Sequence, residues 1–329
     1  MSPRESAGLP EPSASAFASG TFIVRLQRLL LATRPAFFPA SVAPVLVGSA
    51  WGYRVAGHFD WLVFGLALVS TVLVHLAANV LNDVGDEISG TDRINDERIF
   101  PYTGGSRFIQ NGIMTVREMA VWGVALLALA ALPGLVLLEL RGPAVMLFGI
   151  VGVLLGILYS LPRVQLVAHG VGEAVIAVAF GVLPVTGAAW LQSARLDWPA
   201  VLISIPVSLW VAAILLMNEV PDRDADAQVG KRTLAVRFGA DGTRRLYFGL
   251  QLVACLAFVL AGILSLLPWW MGIAALLLLP PAWQAAQGIR ESADRATLTR
   301  SIELTLRLHT GGVVLLVIAV ILGKLLYSE

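Results

Sequence analysis

The sequence predicts an all-α membrane protein whose helices cross the bilayer many times. Three observations predict this class: 57% of the 329 residues are hydrophobic, only 14% are charged, and the apolar residues form long runs between charges. Soluble domains carry about 25% charged residues, and a soluble globule this apolar would aggregate. The composition therefore excludes soluble, fibrous and disordered proteins. A net charge of +1 argues against a nucleic-acid partner, and no obligate protein partner is evident.

Each apolar run is a candidate membrane span, because a helix needs about 20 apolar residues to cross the hydrocarbon core. The run 246–289 has no charge and is too long for one span, so Leu267-Pro268 before Trp269-Trp270 marks a turn between two. Nine transmembrane helices are predicted, at 35–53, 61–82, 119–138, 142–162, 174–194, 198–218, on either side of the turn within 246–289, and at about 308–324.

The distribution of Lys and Arg supports this topology. With the N-terminus in the cytoplasm, 19 of these residues lie on the cytoplasmic face and 4 on the other, as the positive-inside rule requires. Residues 1–20 are rich in Ser, Ala, Pro and Gly and are predicted to be a disordered cytoplasmic tail. Residues 21–329 are predicted to be one transmembrane domain. Six tryptophans fall at the outer span ends, as an aromatic belt would: Trp51, Trp61, Trp190, Trp198, Trp269 and Trp270.

Acidic residues gather in two windows, within the cytoplasmic connections 84–117 and 219–245 or at their edges. The windows contain Asp83, Asp86, Glu87, Asp92, Asp96 and Glu97, and then Glu219, Asp222, Asp224 and Asp226. Asn82 and Asp86 are four residues apart, as are Asp222 and Asp226, so each pair shares one face of a helix end. Either window alone fits a solvated loop, but two at equivalent places favour one cavity. Their oxygen ligands suit Mg²⁺ carrying a diphosphate.

Basic and polar residues follow each acidic window. Gly104-Gly105-Ser106-Arg107 and Gln110 come after the first, and Gly230-Lys231-Arg232-Thr233 after the second. Arg and Lys side chains bind diphosphate oxygens directly. The same residues also satisfy the positive-inside rule, so the two interpretations remain open at this point.

The two windows resemble the two aspartate-rich motifs of the UbiA-type intramembrane prenyltransferases. The matching segments are Asn82-Asp83-Val84-Gly85-Asp86 with Gly90-Thr91-Asp92, and Asn218-Glu219-Val220-Pro221-Asp222-Arg223-Asp224-Ala225-Asp226 with Gly230-Lys231-Arg232-Thr233-Leu234. Segments 158–162 and 170–173 also look like family segments. The resemblance covers residues 25–326 and implies a nine-helix bundle whose active-site cavity faces the cytoplasm.

One departure from the family pattern is informative. In N-D-x-x-D-x-x-x-D the last position is Gly90 here, and the acid follows at Asp92. This spacing, the segment 103–110 and Arg34-Pro35 are similar to the branch that prenylates 1,4-dihydroxy-2-naphthoate for menaquinone. Branches acting on 4-hydroxybenzoate, homogentisate, haem, chlorophyllide or archaeal lipids remain alternatives. An ion-coupled transporter is a remote one, because transport sites lie near the bilayer midplane and both windows lie at one face.

The resemblance implies an Mg²⁺-dependent transferase that crosses a membrane several times, in the inner (cytoplasmic) membrane if the source is bacterial. The partners implied are a polyprenyl diphosphate, an aromatic acceptor and the lipid bilayer, and dihydroxynaphthoate would lose CO₂. The implied metal ligands are Asn82, Asp83, Asp86, Asp92, Asp222 and Asp226. The implied substrate-binding residues are Arg34, Asn79, Arg107, Gln110, Tyr159 and Lys231, with Asp86, Asp222 and Tyr159 as catalytic groups. His75 either lines the cavity or packs between helices, and Glu173 either belongs to the site or is an acid favoured at a helix start.

Overall fold

The structure, a computed structural model, describes residues 10–161 and 164–327, and these contain helices and turns but no strand. Residues 1–9 of the predicted tail, and Pro162 and Arg163, lie outside the described residues. The helices are α1 Phe22–Leu31, α2 Phe38–Ala56, α3 Trp61–Ser89, α4 Thr91–Ile94, α5 Val116–Arg141, α6 Ala144–Ser160, α7 Gly172–Ala177, α8 Leu183–Ser193, α9 Trp198–Gln228, α10 Leu234–Ile263, α11 Trp269–Ala275, α12 Leu279–Gln287 and α13 Arg295–Tyr327.

The long apolar runs form helices because hydrocarbon leaves each backbone N–H and C=O to be satisfied within its own segment. Side-chain caps fix where several of them begin. Asp60 accepts a hydrogen bond from the Val63 N–H at 3.1 Å, and Asp197 accepts one from the Ala200 N–H at 2.9 Å. Gly90 ends α3 in the left-handed region at φ 84°, which glycine adopts without strain.

Each of the nine predicted spans falls on a helical segment over most of its described residues, but these segments differ in length. Among the described residues, six continuous helical segments are long and apolar enough to cross a membrane: α3, α5, α9, α10, α13 and Gly172–Ser193, which joins α7 to α8. A seventh span is counted if Phe22–Leu31 and Pro35–Ala56, bent by 54°, are one. Helix α6 has only 17 residues, and a 3₁₀ turn at Leu276–Leu278 separates α11 from α12. The all-α, multi-span class is confirmed, whereas the count of nine stays a prediction.

Helices α3 and α9 extend beyond the ends predicted for their spans. The predicted spans stop at residues 82 and 218, but the helices continue to Ser89 and Gln228. A charged residue ends an apolar run without ending a helix, because the backbone hydrogen bonds do not depend on side-chain polarity. The motif acids up to Asp86 and Asp226 therefore lie on rigid helical turns rather than on flexible connections.

Helix α9 is the central element of the bundle. Of its most apolar stretch, 78% is buried inside the protein, compared with 28% for α3. Its most extensive contacts are with α10, while α3 packs on α5 and α2 on α8. Small residues permit these close approaches: a Cβ on Gly52 of α2 would lie 2.6 Å from the Ala189 carbonyl oxygen of α8.

Residues 10–20 of the predicted tail lie against the connection between α4 and α5. The Glu11 carboxylate accepts a hydrogen bond from Arg98 Nε at 2.8 Å. The ring of Phe17 packs on Phe108 with the ring centroids 5.4 Å apart. This segment therefore covers one side of the loop that carries the Gly104–Gln110 residues. The boundary between tail and domain at residue 20 stays a prediction.

Candidate active site

A large cavity lies where the C-terminal ends of α3 and α9 meet. It encloses about 1210 Å³ of empty space, its open mouth included. One end carries carboxylates, amides and Lys231, and the remaining wall carries apolar side chains such as Leu155, Val211 and Leu215. The cavity is therefore amphipathic, polar at the motif end and apolar toward the interior of the bundle. Nine of the predicted site residues line it: Arg34, Asn79, Asn82, Asp86, Asp92, Tyr159, Asp222, Asp226 and Lys231.

Lys231 joins the two acidic windows. Its Nζ lies 2.7 Å from Asp86 Oδ1 and 3.3 Å from Asp226 Oδ1. Asn82 Nδ2 donates to the other oxygen of Asp86 at 3.2 Å, as their four-residue spacing predicts. Burial alone would lower the pKa of Lys231, but the carboxylates of Asp86 and Asp226 outweigh it and raise this pKa above its usual value. A full positive charge therefore stands between the two motifs.

The loop after α4 is held against α9 by a second set of contacts. Asn95 Nδ2 donates to Asp222 Oδ1 at 2.7 Å, and the Gly104 N–H donates to Asp222 Oδ2 at 3.3 Å. Arg34 Nη2 donates to the Tyr102 carbonyl oxygen of the same loop at 2.7 Å. The first motif, this loop and the second motif thus form one connected polar rim.

Asp83, a predicted metal ligand, is not among the residues that line the cavity. Its side chain is buried, accepts a hydrogen bond from the Ser106 N–H at 2.9 Å, and lies 3.9 Å from Arg34 Nη1. The loop comes this close because residue 105 is glycine at φ 74°. A Cβ there would lie 2.7 Å from Asp92 Oδ2 and 3.1 Å from Asp83 Oδ1.

Arg107 and Gln110, both predicted to bind substrate, support Asp92 instead of lining the cavity. Arg107 Nη1 donates to the Asp92 carbonyl oxygen at 2.5 Å. Gln110 Nε2 donates to Glu87 Oε2 at 2.9 Å and to Asp92 Oδ2 at 3.4 Å. Burial, followed by repulsion from nearby carboxylates including Asp86, raises the pKa of Asp92 well above its ordinary value. A bound cation at this rim would offset the repulsion between these carboxylates.

The residues at the rim fit a hard cation by type of donor. Within residues 10–161 and 164–327 no three Asp, Glu, His or Cys side chains are close enough to hold a metal ion as they stand. In this arrangement the positive charge between Asp86 and Asp226 is the ammonium group of Lys231. The cavity-lining oxygens Asn218 Oδ1 and Glu219 Oε1 are buried without a hydrogen-bond partner. The candidate ligand atoms at the rim are therefore carboxylate and amide oxygens, which Mg²⁺ prefers.

Several cavity residues were not among the sites predicted from sequence. Asn95, Tyr102, Asn218 and Glu219 all line the cavity. Asn218 and Glu219 belong to the second motif and Asn95 lies within the first acidic window, so those patterns were a signal for them, whereas no pattern marks Tyr102. His75, left open, lines the cavity. Glu173, also left open, is buried at the start of α7 and is not among the lining residues.

Comparison with known proteins places this arrangement in a family. Residues 41–305 match the UbiA prenyltransferase family. The chain is 31% identical over 290 residues to the 1,4-dihydroxy-2-naphthoate octaprenyltransferase of Escherichia coli (strain K12), covering 85% of this chain and 92% of that one. It is 33% identical over 261 residues to the protein of the same name from Mycobacterium tuberculosis, covering 78% and 84% of the two chains.

A solved structure has the same fold. It is a UbiA homolog from Archaeoglobus fulgidus bound to DMAPP and Mg²⁺, similar to this chain with a TM-score of 0.63 at 17% identity, covering 88% of this chain and 99% of that one. This likeness confirms the membrane fold predicted from sequence. The match over residues 41–305 is to an enzyme family, which favours a transferase over the transporter alternative. The chain is a prenyl-transferring transferase, and it belongs to the UbiA prenyltransferase family.

Proposed function

We propose that the protein transfers a polyprenyl group from an allylic polyprenyl diphosphate to 1,4-dihydroxy-2-naphthoate, with loss of CO₂, in menaquinone biosynthesis. The observation that carries the proposal is the contact of Lys231 with Asp86 and Asp226, which brings both motifs to the polar end of one amphipathic cavity. A diphosphate suits the polar end and a prenyl chain the apolar end. The names of the relatives support the naphthoate acceptor and the octaprenyl donor.

The polar rim is proposed to hold Mg²⁺ through Asn82, Asp86, Asp92, Asp222 and Asp226. When bound, the cation would supply Lewis-acid stabilisation of the leaving diphosphate. Asp83 is assigned a positioning role here, because it holds the Ser106 N–H and lies away from the cavity. Arg107 and Gln110 likewise position Asp92.

Lys231 is the positive group nearest to the proposed diphosphate site. It lines the cavity beside Asp86 and Asp226, and on donor binding it would exchange one carboxylate partner for a phosphate oxygen. Arg34 also lines the cavity. These two charges would stabilise the diphosphate as the allylic C–O bond breaks and both bonding electrons pass to the leaving oxygen.

The allylic cation is then attacked by the electron-rich ring of the acceptor. The prenyl carbon takes the ring position of the carboxylate, and that group leaves as CO₂. Tyr159 lines the cavity near the end of α6, where an aromatic ring can stabilise a cation. The apolar wall around Leu155 and Leu215 excludes water, which would otherwise react with the cation.

The polar end of the cavity is proposed to face the cytoplasm with the N-terminus. The unequal distribution of 19 and 4 basic residues supports this orientation. A soluble acceptor could then reach the rim directly from the cytoplasm, while the prenyl donor enters from the lipid.

Prenyl transfer by the purified full-length protein tests the proposal. Octaprenyl diphosphate is supplied with dihydroxynaphthoate, 4-hydroxybenzoate or homogentisate, with Mg²⁺ or with a chelator. We expect a prenylated naphthol with CO₂ release from dihydroxynaphthoate alone, and none when the metal is chelated. Product from another acceptor alone would contradict the branch, undiminished product under chelation would contradict the metal, and absence of transfer to every acceptor would contradict the activity.

A further inference from the structure

A second cavity adjoins the apolar end of the first. It contains about 970 Å³ of empty space between α3, α5, α6 and α8, its open mouth included. Its walls are apolar apart from Ser70, Thr71 and His75, and the Ser70 hydroxyl already donates to the Ala130 carbonyl oxygen at 3.0 Å. Five residues line both cavities and define their junction: His75, Ala78, Gly156, Ala179 and Phe180.

Two aromatic rings form one wall of this junction. Phe180 packs edge-on against His75, with the ring centroids 4.7 Å apart and the planes at 73°. The remaining wall carries the small residues Gly156 and Ala78. They lie close together, since a Cβ on Gly156 would be 3.8 Å from Ala78 Cβ, at ordinary contact distance. The side chains at positions 180, 156 and 78 therefore stand between the two cavities, and their size limits any opening between them.

The position of Phe180 is fixed by an irregular helical turn. Residues Val178–Val182 form a π-helical segment between α7 and α8, and such segments redirect side chains and are frequent at functional sites. Gly181 within it packs directly on α9, since a Cβ there would lie 2.5 Å from Ser208 Cα. The segment therefore cannot rotate Phe180 out of the junction without losing this contact.

Glycines make up half of the α6 residues that line the second cavity, beside Val145, Phe148 and Val153. Gly149, Gly152 and Gly156 all line it, and their spacing of three and four residues places them on one helix face. A Cβ on Gly149 would meet no atom within 4 Å. Gly149 is exposed, so a side chain introduced there would occupy open space at the cavity wall without displacing a neighbour.

We propose that the second cavity receives the distal isoprene units of the donor, and that Phe180 and His75 set the chain length that the enzyme prefers. This inference rests on the proposed function. A naphthoate acceptor carries a carboxylate and two hydroxyl groups, which would be buried there with few partners at a large cost. A hydrocarbon chain needs no such partners and would pass into the second cavity from the apolar end of the first.

Kinetics with a short and a long donor test this proposal in the full-length protein. For each variant, kcat/KM is measured with geranyl and octaprenyl diphosphate. Gly149→Leu adds an apolar side chain to the wall of the second cavity and Phe180→Trp narrows the junction, so both should lower the octaprenyl-to-geranyl ratio about ten-fold or more, as loss of an apolar subsite does. Phe180→Ala widens the junction and should not lower it. Gly311→Leu, on the exposed face of α13 with no atom within 4 Å of the added Cβ, is the matched control.

An unchanged ratio in both Gly149→Leu and Phe180→Trp, with octaprenyl transfer retained, would overturn the proposal. A second measurement does not need turnover: an octaprenyl diphosphate with a photoreactive diazirine on its last isoprene unit should cross-link to α6 near Gly149. Cross-linking elsewhere would overturn the placement of the chain. Cross-linking near Gly149 without transfer to any acceptor would support that placement while contradicting the proposed function.

Discussion

Lys231 Nζ lies 2.7 Å from Asp86 Oδ1, although 145 residues separate them in the chain. This pair connects the segment after α9 to the end of α3, and Asp226 completes the bridge at 3.3 Å. The side chains of Lys231 and Asp226 are only 6% and 7% exposed, so the lysine neutralises largely desolvated carboxylates. Lys231 thus neutralises these carboxylates, as a bound metal cation would also do.

Replacement of the lysine should affect both activity and stability. Lys231→Met leaves Asp86 and Asp226 without their counter-charge, which costs about 3–5 kcal/mol for a buried pair, and loses about 10²-fold or more in transfer rate. Because Mg²⁺ could replace the missing charge, we expect added Mg²⁺ to raise the Tm of this variant more than that of the wild type. Lys324→Met is the control, since Lys324 donates to the Tyr53 carbonyl oxygen away from the motifs. An equal Mg²⁺ shift in all three proteins would contradict the proposed metal position.

Glycine at position 105 should be required for two reasons: its left-handed backbone conformation and the lack of space for a Cβ beside Asp92 and Asp83. Gly105 and Gly112 have similar φ values, 74° and 67°, but only a Cβ at position 105 meets neighbours, namely Asp92 and Asp83. Alanine at either position costs about 1–2 kcal/mol for the left-handed backbone. Gly105→Ala should in addition displace Asp92 and lower the transfer rate by about 10²-fold. Gly112→Ala should lower the Tm but keep most of the rate. Equal rates in the two variants would show that the contact with Asp92 does not matter.

The orientation and the number of spans can be tested together. Asp96 follows α4 with a side chain 94% exposed, and exposed Arg195 follows α8. Three crossings, by α5, α6 and α7–α8, separate them only if the 17-residue α6 spans the membrane. In a Cys255→Ala background, Asp96→Cys should react with an impermeant thiol reagent from the cytoplasmic side and Arg195→Cys from the other. Reaction from the same side would contradict the nine-helix topology.

Helix positions and motif pairs could be predicted from the sequence because both depend on local rules. Apolar runs between charges fall on the helices, since the bilayer requires continuous apolar segments. The spacing of Asn82 and Asp86 predicts their shared helix face, and the two side chains are in contact. The motif as a set does not distinguish Asp83, which is not among the cavity-lining residues, although adjacent residues on a helix point about 100° apart. Helical geometry alone was therefore enough to separate Asp83 from its neighbours.

The loop between α4 and α5 could not be predicted in the same way. Its position depends on tertiary contacts, such as that of Asn95 with Asp222, 127 residues further along the chain. Arg107 and Gln110 look like ligands for a diphosphate because of their chemistry, yet both are used to support Asp92. The position of this loop can therefore be predicted neither from sequence spacing nor from residue type.

Asp86 and Asp222 should act as a unit, although they lie on different helices. They line the same cavity, and Asp222 also holds the loop through Asn95 at 2.7 Å. Asp86→Ala and Asp222→Ala should each lower the Mg²⁺-dependent rate by at least about 10²–10³-fold. The double variant should be little slower than either single one, because groups that serve one bound ligand are not additive.

The matched control is Asp224→Ala, which removes an acid from the same window. Its side chain is 73% exposed and contacts Arg223 rather than the cavity, so the rate should stay near that of the wild type. A set of single-turnover rates for the four variants, each checked for folding in detergent, decides the matter. If the losses in Asp86→Ala and Asp222→Ala multiply in the double variant, the two motifs act independently and a shared diphosphate site is wrong. If Asp224→Ala loses as much as Asp222→Ala, the effect comes from the net charge of the window rather than from ligands that face the cavity.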